Sequence, residues 1–247
     1  TLTHALSGAL VARLICVRAP QPLQAESASL AAPGRFAAAW DGRAGAVAPW
    51  QAVTVGFVAA AFPDLDSLAQ LAGDMAYLRH HRGITHSVLL APLWALAIAW
   101  AMAFAFRSIR ARPGGWKGLY PIALAAILVH IAGDWITQFG TMLLEPFSDA
   151  RFGLGAMFII DLTFSGLLLA GLALAALAPR RRWPAALGLA AAAGWVGLAV
   201  VGKHEAQAVG EQYARAQGLQ AVWVDTMPRP ASPFNWTVTV FDGQRYH

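Results

Sequence analysis

The sequence predicts an all-α helical bundle embedded in a membrane, with about six spans and a small extracytoplasmic C-terminal tail that contains β structure. Three observations predict it. Of the 247 residues, 57% are hydrophobic and only 13% charged, and mean hydropathy is +0.51, which is too apolar for an ordinary soluble domain. Six apolar segments recur along the chain, several of them as long as the roughly 18 to 20 residues that the hydrocarbon core demands. The basic residues gather in short loops between these segments. Despite a net charge of +5 and a pI near 10.0, that is the signature of cytoplasmic loops and not of a nucleic-acid groove.

The first two segments, 2–17 and 46–62, are short and read as tilted spans or re-entrant pieces. Segments 87–106, 157–178 and 184–201 are strong spanning candidates, and 119–144 qualifies although it carries His130 and Asp134. Arg107, Arg110, Arg112 and Lys117 follow the third segment, and Arg180, Arg181 and Arg182 follow the fifth. A six-span chain places both loops inside together with Arg13, Arg18, Arg35 and Arg43, and leaves both termini outside. All seven His, and every acid except Glu26 and Asp41, then fall at or near the extracytoplasmic face.

Residues 19–45 are rich in Ala, Pro and Gly and read as a loop or short interfacial helix. The chain divides into a membrane domain, 1–201, and a tail, 202–247. In the tail, 203–217 reads as a short amphipathic helix and 235–241 as a strand followed by an Asp242-Gly243 turn. One strand cannot stand alone, so the tail is expected to pack on the membrane domain or to continue beyond His247. The chain opens without Met and without a cleavable signal, so later helices are expected to direct insertion. Cys16 is the only cysteine, which excludes an internal disulfide and a Cys-rich zinc site; a metal would be held by His and carboxylate.

Five elements carry candidate chemistry. In Phe62-Pro63-Asp64-Leu65-Asp66, two carboxylates spaced two apart after a proline can approach one cation. The string His80-His81-Arg82-Gly83-Ile84-Thr85-His86-Ser87 leads into a span. There Gly83 permits a tight turn, Thr85 reads as a helix cap, and His81 and His86 are spaced to meet across a turn. His130 and Asp134 share one helix face at i and i+4, the way a helix offers two ligands to one metal, and an Asp at membrane depth costs ~2.5–3.5 kcal/mol unless it faces a polar cavity. Asp161, just inside the fifth segment, and His4, near the outer end of the first, are weak alone and gain weight from lying on the same face.

The candidate metal ligands are therefore His4, Asp64, His81, His86, His130 and Asp134, with Asp66 and Asp161 beside them. That is more than one tetrahedral zinc needs, and it fits either two ions or one ion with carboxylate–His pairs behind it. So many His residues favour Zn²⁺, with Mn²⁺ or Fe as alternatives, over Mg²⁺ or Ca²⁺.

Thr3-His4-Ala5, Phe62-Pro63-Asp64-Leu65-Asp66, His81-Arg82-Gly83-Ile84-Thr85-His86-Ser87, His130-Ile131-Ala132-Gly133-Asp134 and Asp161 together resemble the YdjM-type, LexA-regulated family of membrane-bound metal-dependent hydrolases. The likeness covers most of residues 1–170 and extends loosely to 230–240; the His-Arg-Gly-x-Thr-His-Ser string is its most specific part. It implies a multi-pass protein of a bacterial inner membrane. That family is more distantly similar to the helical zinc phospholipase C and single-strand nuclease group. The resemblance implies His4, Asp64, His86, His130 and Asp134 as ligands, with Asp134 bridging two metals. The later His-and-Glu ligand group of those enzymes has no counterpart here, which argues against a full three-zinc cluster.

These readings converge on hydrolysis of a phosphoester or lipid-like substrate by a metal-activated water. Asp66 or Asp161 would act as proton acceptor and Arg82 as a clamp on phosphate oxygens. The expected partners are the lipid bilayer and an amphipathic or phosphorylated substrate, not nucleic acid, with the site facing the extracytoplasmic side. Two rival classes are an ion- or proton-coupled transporter, which requires polar groups through the full membrane depth, and a structural protein with a metal-stapled cap. The cytoplasmic halves of the spans are apolar, which disfavours the transporter.

Overall fold

The structure, a computed structural model, describes residues 2–16, 47–220, 223–230 and 232–247. The loop expected over 19–45, with Arg18, Arg35, Arg43, Glu26 and Asp41, lies outside the described residues. The helices are α1 (Leu2–Ile15), α2 (Pro49–Ala61), α3 (Asp74–His80), α4 (Ala91–Ala105), α5 (Arg107–Arg110), α6 (Tyr120–Trp135), α7 (Leu162–Leu177) and α8 (Trp183–Ala216). Tight 3₁₀ turns fill Pro63–Ala72, Ile84–His86 and Gly115–Gly118. A two-stranded antiparallel sheet, β1 (Trp223–Pro228) and β2 (Trp236–Phe241), closes the chain. Helices α2, α4, α6 and α8 each begin with a proline in the first turn, where the missing N–H costs nothing and the fixed φ suits a helix.

Among the described residues, two stretches are long and apolar enough to cross a membrane: the continuous Pro49–Ala72 and α8. A third is added if the pair Asp74–His86 and Ala91–Ala105, bent by 79°, forms one broken span. The other apolar helices, α1, α6 and α7, have 14, 16 and 16 residues, short of the ~20 that a bilayer core asks for. All six expected apolar segments are thus helical at their centres, while three of the helices fall below spanning length. The outward surface is itself apolar: Trp100, Phe104, Leu169, Leu177 and Leu187 are all more than half exposed. That is the pattern of helices facing lipid.

Helix ends differ from the sequence expectation for identifiable reasons. α4 begins at Ala91, not 87, because Val88 N–H donates to the Leu143 carbonyl and Ser87 Oγ–H to the Glu145 carbonyl, which hold Ser87 extended and leave residues 88–90 as a turn. α6 ends at Trp135 and α7 begins at Leu162. Between them the chain folds over the bundle end through bridges Thr137–Met157 and Thr141–Phe152. The residues expected as a separate amphipathic helix, 203–217, continue α8, so the boundary expected at 201–202 falls inside one helix.

At 34 residues α8 is about 51 Å long, well beyond a ~30 Å hydrocarbon core, and its final turns carry the sheet. Val224 and Val238 close on Gly210, where a Cβ would sit 2.6 Å from each, and the Pro233 carbonyl closes on Gly202. The expected strand therefore has a partner, β1, which sequence reading missed because Asp225 and Pro228 interrupt its strand character. In the terminal turn, His247 and the backbone N–H groups of Arg245 and Gln244 hold the Asp242 carboxyl down at about 2. Its share of the turn's stability is present above the ordinary carboxylate pKa and is lost as pH falls through about 2.

α1 lies at the centre of the bundle, packing on α2, α6, α7 and α8. It joins two cores, one of α2, α4 and α6 reached by Ala12, and one of α7 and α8 reached by Leu10. Glycine contacts set both joints: Gly8 against Gly56 between α1 and α2, and Gly171 against Gly188 between α7 and α8. Small residues allow such close approach without a hydrophobic driving force. This central position points His4, at the start of α1, into the end of α6.

Candidate metal centre

The i, i+4 spacing on α6 turns His130 and Asp134 inward together, and both are fully buried. The turn Ile84–His86 brings His86, wholly buried, onto the same spot, and the turn that follows α2 brings Asp64. Asp64, His86, His130 and Asp134 each offer a ligand atom, and these atoms all lie within 4.8 Å of one another. His86 Nε2 is 2.9 Å from Asp134 Oδ2 and 3.0 Å from His130 Nε2; His130 Nε2 is 3.3 Å from Asp134 Oδ2 and 3.9 Å from Asp64 Oδ1. Ligand atoms around a tetrahedral zinc are roughly 3.4 Å apart, in the middle of this range.

The protons are arranged to leave electron pairs at the centre. His130 Nδ1–H donates to the Ala60 carbonyl at 2.6 Å, which in the neutral ring makes Nε2 a lone pair. His86 Nδ1 faces Asp66 Oδ2 at 3.2 Å and the Thr85 hydroxyl at 3.0 Å, and donation to Asp66 likewise frees Nε2. Asp134 Oδ2 is buried and makes no hydrogen bond despite these close nitrogens. His86 Nε2 and His130 Nε2 are close enough to share a proton; in the tautomers whose Nδ1–H groups both donate outward their electron pairs face one another, and a cation between them would convert that repulsion into ligation. Two imidazole nitrogens and carboxylate oxygens form a donor set suited to Zn²⁺ and tolerated by Mn²⁺ or Fe²⁺.

The other candidates sit around this centre. Asp134 Oδ1 accepts from Arg82 Nη2 at 2.9 Å and contacts His4 Nε2 at 3.1 Å. A guanidinium there occupies the side on which a second ion bridged by Asp134 would bind, so the geometry favours one metal. Arg82 also donates to Thr137 Oγ1 at 2.6 Å and to the Asp134 carbonyl at 3.3 Å, and it is buried. Thr137 was not singled out from sequence; a hydroxyl three residues beyond Asp134, at an otherwise apolar helix end, was the available signal.

Asp66 lies behind the histidines and does not enter the convergent set. Its Oδ1 meets His81 Nδ1 at 2.9 Å, and its Oδ2 accepts from the Arg82 backbone N–H at 2.7 Å. It thereby orients His86, as carboxylates behind metal-bound imidazoles do. His81, expected as a ligand, faces Asp66 and stacks on Tyr77 at 4.4 Å; it meets His86 edge-on at 6.4 Å but is not one of the four convergent residues. The turn that separates His81 from His86 is made by Arg82, at φ +58, and not by the glycine. Gly83 serves instead for space: a Cβ would be 2.7 Å from Glu145 Oε2 and 2.8 Å from the His80 carbonyl.

Asp161 caps α7. It accepts from the Phe164 N–H at 2.7 Å and from Trp195 Nε1 at 3.0 Å. With His4, Arg82 and Asp134 it lines a cavity of about 30 Å³, room for one or two waters. His4 lies 4.2 Å from the His130 ring and against Gly133, where a Cβ would come within 2.8 Å of the His4 ring. Gly133→Ala is therefore expected to push His4 off Asp134 while leaving the four convergent residues in place. Metal affinity should fall about tenfold, as for loss of an outer partner, measured by competition with a fluorescent zinc chelator. An unchanged affinity would remove His4 from the centre.

Three comparisons bear on this chain. The model of a family described as YdjM inner membrane protein matches residues 1–206, which include all eight helices up to the outer third of α8 and every residue of the centre. An uncharacterized protein, YfhP, of Bacillus subtilis (strain 168) is 29% identical over 99 residues, 40% of this chain and 29% of that protein. The chain thus aligns with under a third of that relative's length. No solved structure gives a significant match.

Proposed function

Because this chain belongs to the YdjM inner membrane protein family, we propose that its membrane-embedded metal centre makes it a metal-dependent hydrolase of phosphoesters in amphipathic, lipid-like substrates. The observation that carries the reading is the convergence of Asp64, His86, His130 and Asp134, with outer hydrogen bonds that leave lone pairs pointing inward. A zinc ion in that position supplies a water of pKa near 7 and polarises a phosphoryl oxygen. The reading assigns to Asp66 the orientation of His86, and to Arg82 the holding of Asp134. Asp161 lines the cavity beside Asp134, and proton acceptance falls to it rather than to Asp66.

Substrate class follows from the surface beside the site. The 3₁₀ turn that carries Asp64 and Asp66 repeats every three residues, so Leu65, Leu68 and Leu71 share one edge, and all three are exposed, Leu71 to 88%. α3 continues that apolar surface with Met75 and Leu78. An apolar edge next to a metal centre suits acyl chains with a headgroup reaching the metal. In this reading the six apolar helices cross the inner membrane, with the site at its extracytoplasmic face and the basic loops inside.

The test is metal analysis of detergent-purified protein together with hydrolysis of a phosphomonoester, phosphodiester and phospholipid panel, repeated with His130→Ala. One ion per chain, turnover on a phospholipid, and loss of both in the variant are expected. Zinc at a hundredfold excess over its Kd should also raise unfolding free energy by about 2.7 kcal/mol. Protein that binds no metal at all defeats the reading; bound metal with no turnover defeats the hydrolase and leaves a structural centre.

A further inference from the structure

We propose that the loop joining α4 to α6 is a binding site for an anionic phospholipid headgroup, independent of the metal centre and at the opposite end of α6. The loop encloses a cavity of about 150 Å³ whose walls include Trp100, Phe104, Arg110, Arg112 and Trp116. Among the described residues its chemistry is one-signed. Arg107, Arg110, Arg112 and Lys117 are all exposed, and none of them makes an ion pair among the described residues. The described acid nearest in sequence on the following helix is Asp134, a full helix length away, and on the preceding side it is Asp74. α2, which reaches this loop through Gln51 Nε2–H and Ser108 Oγ at 2.9 Å, contains no acid, and neither does α1.

The cations are also placed on aromatic supports. The Arg110 guanidinium lies 5.1 Å from the Phe104 ring centre, and Lys117 Nζ lies 5.9 Å from the Trp116 ring centre. Such stacking holds a cation against the cavity wall and leaves N–H donors for phosphate oxygens. Neither the Trp100 nor the Trp116 indole N–H has a hydrogen-bond partner among the described residues, so both remain available to a headgroup or ester oxygen. The occupant is a lipid, not a soluble anion, because the wall of the cavity includes the large exposed apolar side chains Trp100 and Phe104. Trp100 and Phe104, 65% and 61% exposed, continue down the outer side of α4 where acyl chains would run. Gly114, at φ +69, and Gly115, whose Cβ would be 2.5 Å from the Ile109 carbonyl, fold the loop tightly against Ile109 in the cavity wall.

The experiment is native mass spectrometry of the full chain in detergent, titrated with phosphatidylglycerol or phosphatidylcholine. Arg110→Gln/Arg112→Gln is compared with Arg180→Gln/Arg181→Gln, which removes the same charge from another basic loop. One phosphatidylglycerol retained in preference to phosphatidylcholine is expected, with affinity about thirty-fold weaker in the Arg110/Arg112 variant and within about threefold of wild type in the other. Inorganic phosphate at matched concentration should not displace it. Equal retention of both lipids, equal loss in both variants, or displacement by inorganic phosphate would each overturn the site. All four substituted residues are exposed, and unchanged melting temperatures would confirm that binding, not folding, is being read.

Discussion

Asp134→Asn is expected to remove metal binding and ~3–5 kcal/mol of stability together, because one carboxylate serves both the centre and a buried cation. Oδ2 belongs to the convergent set, while Oδ1 compensates Arg82, whose side chain is only 5% exposed. An amide at 134 keeps the shape but leaves the guanidinium uncompensated, the situation in which breaking a buried pair costs most. It also turns an N–H₂ group toward lone pairs that a cation would otherwise join. Metal affinity should fall more than a hundredfold, beyond the ten- to hundredfold loss expected for Asp66→Asn, which disturbs only the orientation of His86. Two measurements separate the effects: metal stoichiometry after dialysis, and unfolding in mixed micelles with excess chelator, where only the ion pair differs. A variant that keeps metal at wild-type affinity would show that Asp134 is not a ligand.

Gly8→Leu should be the most damaging change outside the centre, destabilising by about 3 kcal/mol or more and releasing metal as a consequence. At this joint the two backbones touch. A Cβ on Gly8 would lie 3.1 Å from the Gly56 carbonyl carbon, and a Cβ on Gly56 would lie 2.6 Å from Ala12 Cβ. Backbone cannot rotate aside as a side chain can, so α1 and α2 must separate. His4 is carried by α1 and Asp64 follows α2, so separation pulls both away from α6. Gly194→Leu and Gly197→Leu are the controls: both glycines are helical, and a Cβ there meets nothing within 4 Å. Those changes should be neutral or slightly stabilising from helix propensity. Equal effects at 8 and 194, measured by unfolding in mixed micelles and by metal content, would contradict the joint.

The pairing of His130 with Asp134 was legible because it depends only on helix periodicity, and the structure makes these residues the floor of the centre. The apolar segments were legible for the same reason, composition and length being local properties. The choice between neighbours was not. His81 and His86 are not told apart by spacing, and they part because Arg82 adopts a left-handed backbone that turns His81 toward Asp66 and His86 toward α6. The sequence reading set Arg82 aside for substrate. Its contacts with Asp134 and Thr137, from residues more than 50 positions away, could not be inferred from a turn motif.

What the sequence alone determined is membrane character, six apolar helical segments, and a His and Asp cluster toward one end of them; each follows from residue type and from periods of a few residues. Tertiary structure decided which four of the expected ligands converge, that Asp134 divides its two oxygens between the centre and Arg82, and that α8 runs on to carry a β hairpin. These depend on contacts between distant elements, chiefly the glycine joints that set how closely α1 and α2 approach. No local pattern records where a proton must be absent so that a lone pair can face its neighbour.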